Sequence, residues 1–274
     1  MRPTRTRTVL TALTLGPILA WTLFPIYWIT TASFKTELSL YARPPQWLFS
    51  PILENYRLVL TNIPFAHYLA NSLVIAMGTT IGSIVLGTLA GYGFARFRFR
   101  ASAAVRFLVL VTRMAPRMVL VVPYYLMMQR LGLLDTYTGL VIAYVSFALP
   151  FSIWLLIGFF VDVPLEVEEA GLIDGCTPLG VLLRIVIPIA APGLVVAAIF
   201  AFLASWNEFL FALILSGVEA KTLPVVIAGL NTDAGPLYGE MSAAAVMVML
   251  PNVAMTLVLQ RYLVKGLTLG AVKG

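Results

Sequence analysis

Six apolar runs dominate this chain, at residues 8–34, 68–94, 105–128, 137–161, 189–215 and 241–262. Each reaches or approaches the roughly 20 residues that a helix needs to cross bilayer hydrocarbon, and each exceeds the roughly ten residues of a barrel strand. Lipid offers the backbone no hydrogen bonds, so only helices and closed barrels can span it. The run lengths leave helices. Composition agrees, because 60% of the 274 residues are hydrophobic and only 11% are charged, against about 25% charged in a soluble domain. The expected fold is an all-α membrane protein with six transmembrane helices, forming one transmembrane domain over residues 1–274.

Basic residues gather at the ends of the runs and predict orientation. With a cytoplasmic N-terminus, the inner segments hold eleven of them: Arg2, Arg5, Arg7, Arg96, Arg98, Arg100, Arg106, Arg184, Arg261, Lys265 and Lys273. The outer segments hold five: Lys35, Arg43, Arg57, Arg130 and Lys221. Cytoplasmic flanks are the Lys- and Arg-rich ones, so a multi-pass protein of the cell membrane with both termini in the cytoplasm is expected. The net charge of +6 then reflects topology, and no basic-aromatic surface calls for nucleic acid. The first run is longer than the roughly 7–15-residue core of a signal peptide and lacks a convincing small-residue cleavage site, so it is read as an uncleaved helix. The outer loop at about 35–67, with Pro44, Pro45, Trp47 and Pro51, is expected to be locally ordered. Cys176 and His67 are the sole residues of their types, which leaves neither a disulfide framework nor a metal site.

In the second run, Gly78, Gly82, Gly87 and Gly91 form two GxxxG pairs. Such pairs let helix backbones approach closely. Their nine-residue offset turns the pairs to opposite faces at about 100° per residue, predicting a helix held between two neighbours.

Residues 162–188, between the fourth and fifth runs, break the basic pattern of the inner loops. Asp162, Glu166, Glu168, Glu169 and Asp174 are five of the chain's twelve acidic residues. Pro164 suits a first helical position, the glutamates suit the positive end of a helix dipole, and Gly175 can take the left-handed conformation that closes a helix. Thr177-Pro178 then starts a second short helix, which Pro188 is expected to end near the membrane.

At these positions the chain resembles the EAA signature of bacterial ABC importer permeases. Glu169-Ala170-Gly171, Gly175, Ile185 and Pro188 stand at the matching spacing, with Gly171 for the second alanine and Ile187 where leucine is usual. Gly171 should loosen the helix by up to about 1 kcal/mol relative to alanine. Leu131-Gly-Leu-Leu-Asp-Thr136, Phe147-Ala-Leu-Pro150, Trp206-Asn-Glu-Phe209 and Gly266-Leu-Thr-Leu-Gly-Ala271 resemble the sugar-importer branch, most of all the maltose-type smaller permease subunit. The resemblance implies a cytoplasmic coupling helix between helices 4 and 5 that docks on an ATPase subunit. Glu169, Ala170, Gly171, Asp174, Gly175, Ile185 and Pro188 would form that coupling site, with Glu169 making polar contacts, Ala170 and Gly171 permitting close approach, and Gly175 setting the bend. It further implies a heteromeric importer: this chain, a second permease, two ATPase copies and an extracytoplasmic sugar-binding protein. No GxxxxGK[ST] loop occurs here, so ATP and Mg belong to the partner ATPase. This chain is read as having no catalytic residue, no cofactor and no enzymatic activity of its own.

Arg113, Arg117, Asn207 and Glu208 fall inside apolar runs, where ionisable groups mark functional sites. Arg113 and Arg117, four apart and hence on one face of the third run, with Pro116 between them expected to kink it, could line a pathway, pair with Glu208, or reach toward the inner interface. Trp206, Asn207 and Glu208 could offer an aromatic face and polar partners to a sugar, or serve as interhelical hydrogen bonds. An ABC permease for a different solute, such as a glycerophosphodiester, amino sugar or polyamine, is the alternative. An ion-coupled secondary transporter would predict inverted repeats and paired intramembrane carboxylates, whereas Glu208 stands as the one clear carboxylate in a span. A membrane enzyme lacks its constellation of nucleophile, histidine and carboxylates, and a purely structural subunit leaves the acidic loop unexplained.

Overall fold

The computed structural model describes residues 5–97, 100–232 and 235–270; Arg2, Arg98 and Lys273 of the charge count, and Ala271, lie outside them. The chain runs through α1 (Arg5–Ala32), α2 (Glu37–Leu40), α3 (Glu54–Asn62), α4 (Phe65–Arg96), α5 (Ser102–Thr112), α6 (Arg117–Arg130) and α7 (Tyr137–Val161). It continues through α8 (Leu165–Ile173), α9 (Pro178–Val181), a π turn at Leu182–Val186, α10 (Ile187–Trp206), α11 (Leu210–Leu215), α12 (Leu223–Ala228) and α13 (Tyr238–Gly270). Among the described residues, five helices are long and apolar enough to cross a membrane: Leu13–Ala32, Phe65–Arg96, Tyr137–Val161, Pro178–Trp206 and Tyr238–Gln260.

The third apolar run, 105–128, departs from the expectation of one spanning helix. It breaks into α5 and α6 with Pro116 extended between them (φ −62°, ψ 120°). A proline has no N–H for the helix ladder and pushes the residue before it out of helical geometry. Arg113 therefore caps the end of α5 while Arg117 begins α6, so they do not share a helix face by simple i,i+4 spacing.

The fifth run, 189–215, is also redrawn. Pro188 does not end a helix; α9, the π turn and α10 run without interruption from Pro178 to Trp206. The carbonyl of Arg184 cannot receive a bond from Pro188, and the wide turn accommodates this by pairing the Ile187 N–H with the Leu182 carbonyl. At the other end the helix stops at Asn207, and the rest of the run becomes α11.

The described chain forms two compact units, one comprising the residues up to Ala66 with Val226–Leu250, the other His67–Val225 with the residues from Pro251. In the first, the segment after α1 is fastened to that helix's end. Asn55 donates to the carbonyls of Ser33 and Lys35 at 2.9 Å each, and the Lys35 ammonium donates to the Gln46 carbonyl at 2.8 Å. A two-residue ladder pairs Asn231–Thr232 with Gly235–Pro236.

In the second unit, α4, α7 and α10 pack closely. All four α4 glycines face α7: an added Cβ would lie 3.0 Å from Val141 at Gly78, 3.1 Å from Val145 at Gly82, and 3.2 Å from Ser152 at Gly87 and from Leu156 at Gly91. This corrects the expectation of two opposed glycine faces. A helical wheel gives the direction of each missing Cβ but not the reach of side chains on a crossing neighbour. Here one neighbour covers the whole glycine strip. α4 meets α10 elsewhere, through the Thr79 and Ser205 hydroxyls at 3.3 Å. Leu156, Phe160, Val186 and Ala197 are buried in one core cluster, and Met128, Leu140, Tyr144 and Phe211 in another.

Candidate functional site

The acidic segment folds into an elbow. Pro164 serves as the N-cap of α8 in an extended conformation (ψ 134°) rather than as its first helical residue. At the other end, Gly175 takes φ +88°. The Cys176 N–H then bonds to the Gly171 carbonyl at 3.0 Å and the Gly175 N–H to the Leu172 carbonyl at 3.1 Å, the paired closure that a left-handed residue makes possible. The chain restarts at once, because the Thr177 hydroxyl accepts from the Gly180 N–H at 3.1 Å and Pro178 opens the helix.

Glu168 and Gly171, three apart, form the buried face of α8. The Glu168 carboxylate, 7% exposed, pairs with Arg96 at 2.6 Å and accepts from the Tyr92 hydroxyl at 2.8 Å. Arg96 also donates to the Phe160 carbonyl at 2.7 Å and the Val163 carbonyl at 2.9 Å. One guanidinium therefore ties the end of α4, the end of α7 and the middle of α8 together. Gly171 faces inward as well, where an added Cβ would overlap the tip of Ile185. Its small size serves packing within the elbow, not approach by an outside partner. Ile185 is half-buried, whereas Glu169, Ala170, Asp174 and Pro188 are exposed. Around Glu169 lie Leu165, Leu172 and Ile173, which are 55%, 47% and 86% exposed. The elbow thus has a bolted inner face and an apolar outer face centred on one carboxylate.

The polar residues of the apolar runs separate into two groups. Arg113, Arg117 and Glu208 line one cleft with Phe147, Phe151 and Ser205. The Arg113 guanidinium lies 4.7 Å from the centre of the Phe151 ring, and that of Arg117 lies 5.4 Å from Phe147. Glu208 is 7% exposed and directs its carboxylate at the start of α11, accepting from the N–H of Phe211 at 3.1 Å and of Ala212 at 3.2 Å. Trp206 and Asn207 do not line this cleft. Trp206 is 2% exposed and stacks on Phe202 at 5.6 Å, so it presents no free aromatic face. Asn207 donates to the Leu203 carbonyl at 2.8 Å and accepts from Asn252 of α13 at 2.9 Å, an interhelical link.

A further anchor went unread in the sequence. Asp135, at φ 54°, accepts the backbone N–H of Gly217, Val218, Glu219 and Ala220 at 2.7, 2.9, 3.1 and 2.9 Å. Its own N–H donates to the Leu215 carbonyl at 2.8 Å. Burial by itself would raise the Asp135 pKa, but the four N–H donors outweigh it and hold the carboxyl below the usual carboxylate range. Arg96, Tyr92 and Glu168 were likewise not singled out. The available signal was that Glu168 shares a helix face with Gly171, and a glycine on a helix face marks close packing.

Comparison with known proteins bears on the family and the fold. A family model described as binding-protein-dependent transport system inner membrane component matches residues 83–269. The trehalose transport system permease protein SugB of Mycobacterium tuberculosis is 35% identical, covering 94% of each chain. The sulfoquinovosyl glycerol transport system permease protein SmoH of Agrobacterium fabrum is 35% identical over 92% of this chain and 89% of its own. In fold, the chain is similar to a bacterial ABC transporter involved in import of the acidic polysaccharide alginate, with a TM-score of 0.78 at 23% identity, covering 96% of this chain and 98% of that one.

Proposed function

The chain belongs to the family of binding-protein-dependent transport system inner membrane components, and on that premise we propose that it is the sugar-translocating permease subunit of an ATP-driven importer. It works with a second permease, two copies of a cytoplasmic ATPase and an extracytoplasmic binding protein that delivers the saccharide. The relatives named for trehalose and for sulfoquinovosyl glycerol support a carbohydrate cargo. The Lys and Arg distribution supports cytoplasmic termini, and hence a cytoplasmic α8.

The observation that carries the reading is the two-faced elbow. A surface loop of no particular role has no reason to bury an ion pair at 2.6 Å on one side and expose Leu165, Leu172 and Ile173 on the other. The outer face fits a groove on the ATPase, with Glu169 as its polar contact. The inner face, through Glu168 and Arg96, passes movement of α8 to α4 and α7. ATP hydrolysis on the partner then alternates the exposure of the Arg113–Arg117 cleft between the two sides of the membrane. This chain itself contributes docking, lever and pathway.

The test is ATP hydrolysis by the complex reconstituted with its binding protein, across mono- and disaccharides, amino sugars, glycerophosphodiesters and polyamines. A saccharide is expected to stimulate turnover, and Glu169→Lys is expected to abolish that stimulation while the chain still inserts. Stimulation by a non-saccharide alone would overturn the sugar assignment. Full stimulation in Glu169→Lys would overturn the docking assignment.

A further inference from the structure

The cleft between α5, α6, α7 and α10 holds two arginines and one glutamate, so it carries a net positive charge. Among the described residues the ion pairs are Arg57–Glu54 and Arg96–Glu168, so neither Arg113 nor Arg117 forms one. No hydrogen-bond acceptor among those residues serves either guanidinium; each lies over a phenylalanine ring instead. Glu208 lines the same cleft, but its carboxylate is turned to the N–H groups of α11 and pairs with neither arginine, so the three groups leave one positive charge in excess. Arg117 is also the first residue of α6, so the positive end of that helix's dipole opens beside it.

Two cations in an apolar stretch of a membrane protein are costly unless an anion or water meets them. A neutral sugar could accept hydrogen bonds from them but would leave the excess positive charge of the cleft unbalanced. A carboxylate, sulfonate or phosphate matches the planar fork of arginine in two-point contact and neutralises it.

Resting on the importer reading above, we infer that the solute drawn through this cleft is an anionic saccharide, its acidic group held by Arg113 and Arg117. A neutral pathway lined by aromatic rings would need neither arginine.

The experiment uses the complete importer in proteoliposomes and a matched pair of probes, glucuronosyl-glucose and its carboxyl-reduced neutral counterpart, each supplied with the binding protein. The wild type is expected to take up the acidic disaccharide. Arg117→Gln should lower that uptake about tenfold or more, as loss of a charge-assisted hydrogen bond implies, with Arg117→Lys intermediate and the neutral disaccharide lowered by a clearly smaller factor. Uptake of the neutral disaccharide alone by the wild type would overturn the inference while leaving the importer reading intact. Equal loss of both probes in Arg117→Gln would also overturn it. So would loss of the second permease from the purified Arg117→Gln complex, because the arginine would then be pairing with a carboxylate of that subunit. Absence of any saccharide-stimulated ATP hydrolysis in the wild type would remove the importer reading and this inference together.

Discussion

Replacing Glu168 by alanine tests whether the elbow is held as its geometry indicates. Glu168 and Arg96 are 7% and 9% exposed and 2.6 Å apart, so solvent screens them little. Removing one member of a buried pair costs about 3–5 kcal/mol, because the other charge stays buried without its partner. Arg96 keeps the carbonyls of Phe160 and Val163, which places the expected cost near the lower end, about 3 kcal/mol. At about 1.4 kcal/mol per tenfold, local opening of α8 from the helices behind it becomes about a hundredfold more frequent. The chain carries its own probe of that opening. Cys176 is its single cysteine, follows Gly175 directly and packs against the core cluster that holds Val181 and Phe160.

Thiol labelling of Cys176 in inside-out membrane vesicles therefore reads the elbow alone. Glu168→Ala is expected to label at least tenfold faster than wild type. Glu168→Gln should give a smaller rise, because it keeps an acceptor for Tyr92 and Arg96. The double replacement Glu168→Leu with Arg96→Met removes both charges and should return most of the way, since apolar substitutes for a buried pair are often neutral or better. Labelling of Glu168→Ala within twofold of wild type, at equal insertion, would refute the view that this pair holds α8.

Two further outcomes are expected. Asp135→Asn keeps one acceptor oxygen but loses the charge that gathers four backbone N–H groups, so the melting transition should fall by the equivalent of about 1–3 kcal/mol. Because the folded-state pKa of Asp135 is lowered, its contribution is complete above the free-carboxylate value of about 3.9 and fades as pH falls through the lower folded value. The gap between wild type and Asp135→Asn should therefore be constant from about pH 7 to about pH 5 and narrow below about pH 4; a gap independent of pH would show that the charge is not what orders residues 217–220. At the elbow, Gly171→Ala gains about 1 kcal/mol of helix propensity but pushes a methyl group at the tip of Ile185. Adding Ile185→Val removes that tip, so the double variant should label more slowly at Cys176 than Gly171→Ala alone, and the reverse order would mean that Gly171 is small for another reason.

What was legible in the sequence was legible because its physics is local. The length of an apolar run decides whether a helix can cross lipid, and α7 fills residues 137–161. The end of α8 at Gly175 and the restart at Thr177-Pro178 follow from conformational preferences carried by single residues. The spacing from Glu169 to Pro188 likewise stands in the order of residues. Prolines were the local feature read least well. Pro116 breaks a helix completely and Pro188 interrupts none, because a neighbouring π turn can satisfy in one place what is left open in another.

The rest depended on partners distant in the chain. Locally, only the i,i+3 relation to Gly171 sets Glu168 apart from Glu169, yet one is buried against Arg96, 72 positions away, and the other faces outward. The direction of the α4 glycines, the burial of Trp206 and the gathering of Arg113, Arg117 and Glu208 into one cleft are set by how crossing helices meet. Asp135 was one residue of a quoted motif until the fold brought residues 217–220 onto its carboxylate. The sequence by itself determined that this chain lives in a membrane and where its helices turn, because solvent and backbone preferences act residue by residue. Which charges are paired and which make no ion pair among the described residues was decided only by the tertiary structure, because pairing is a matter of distance in space.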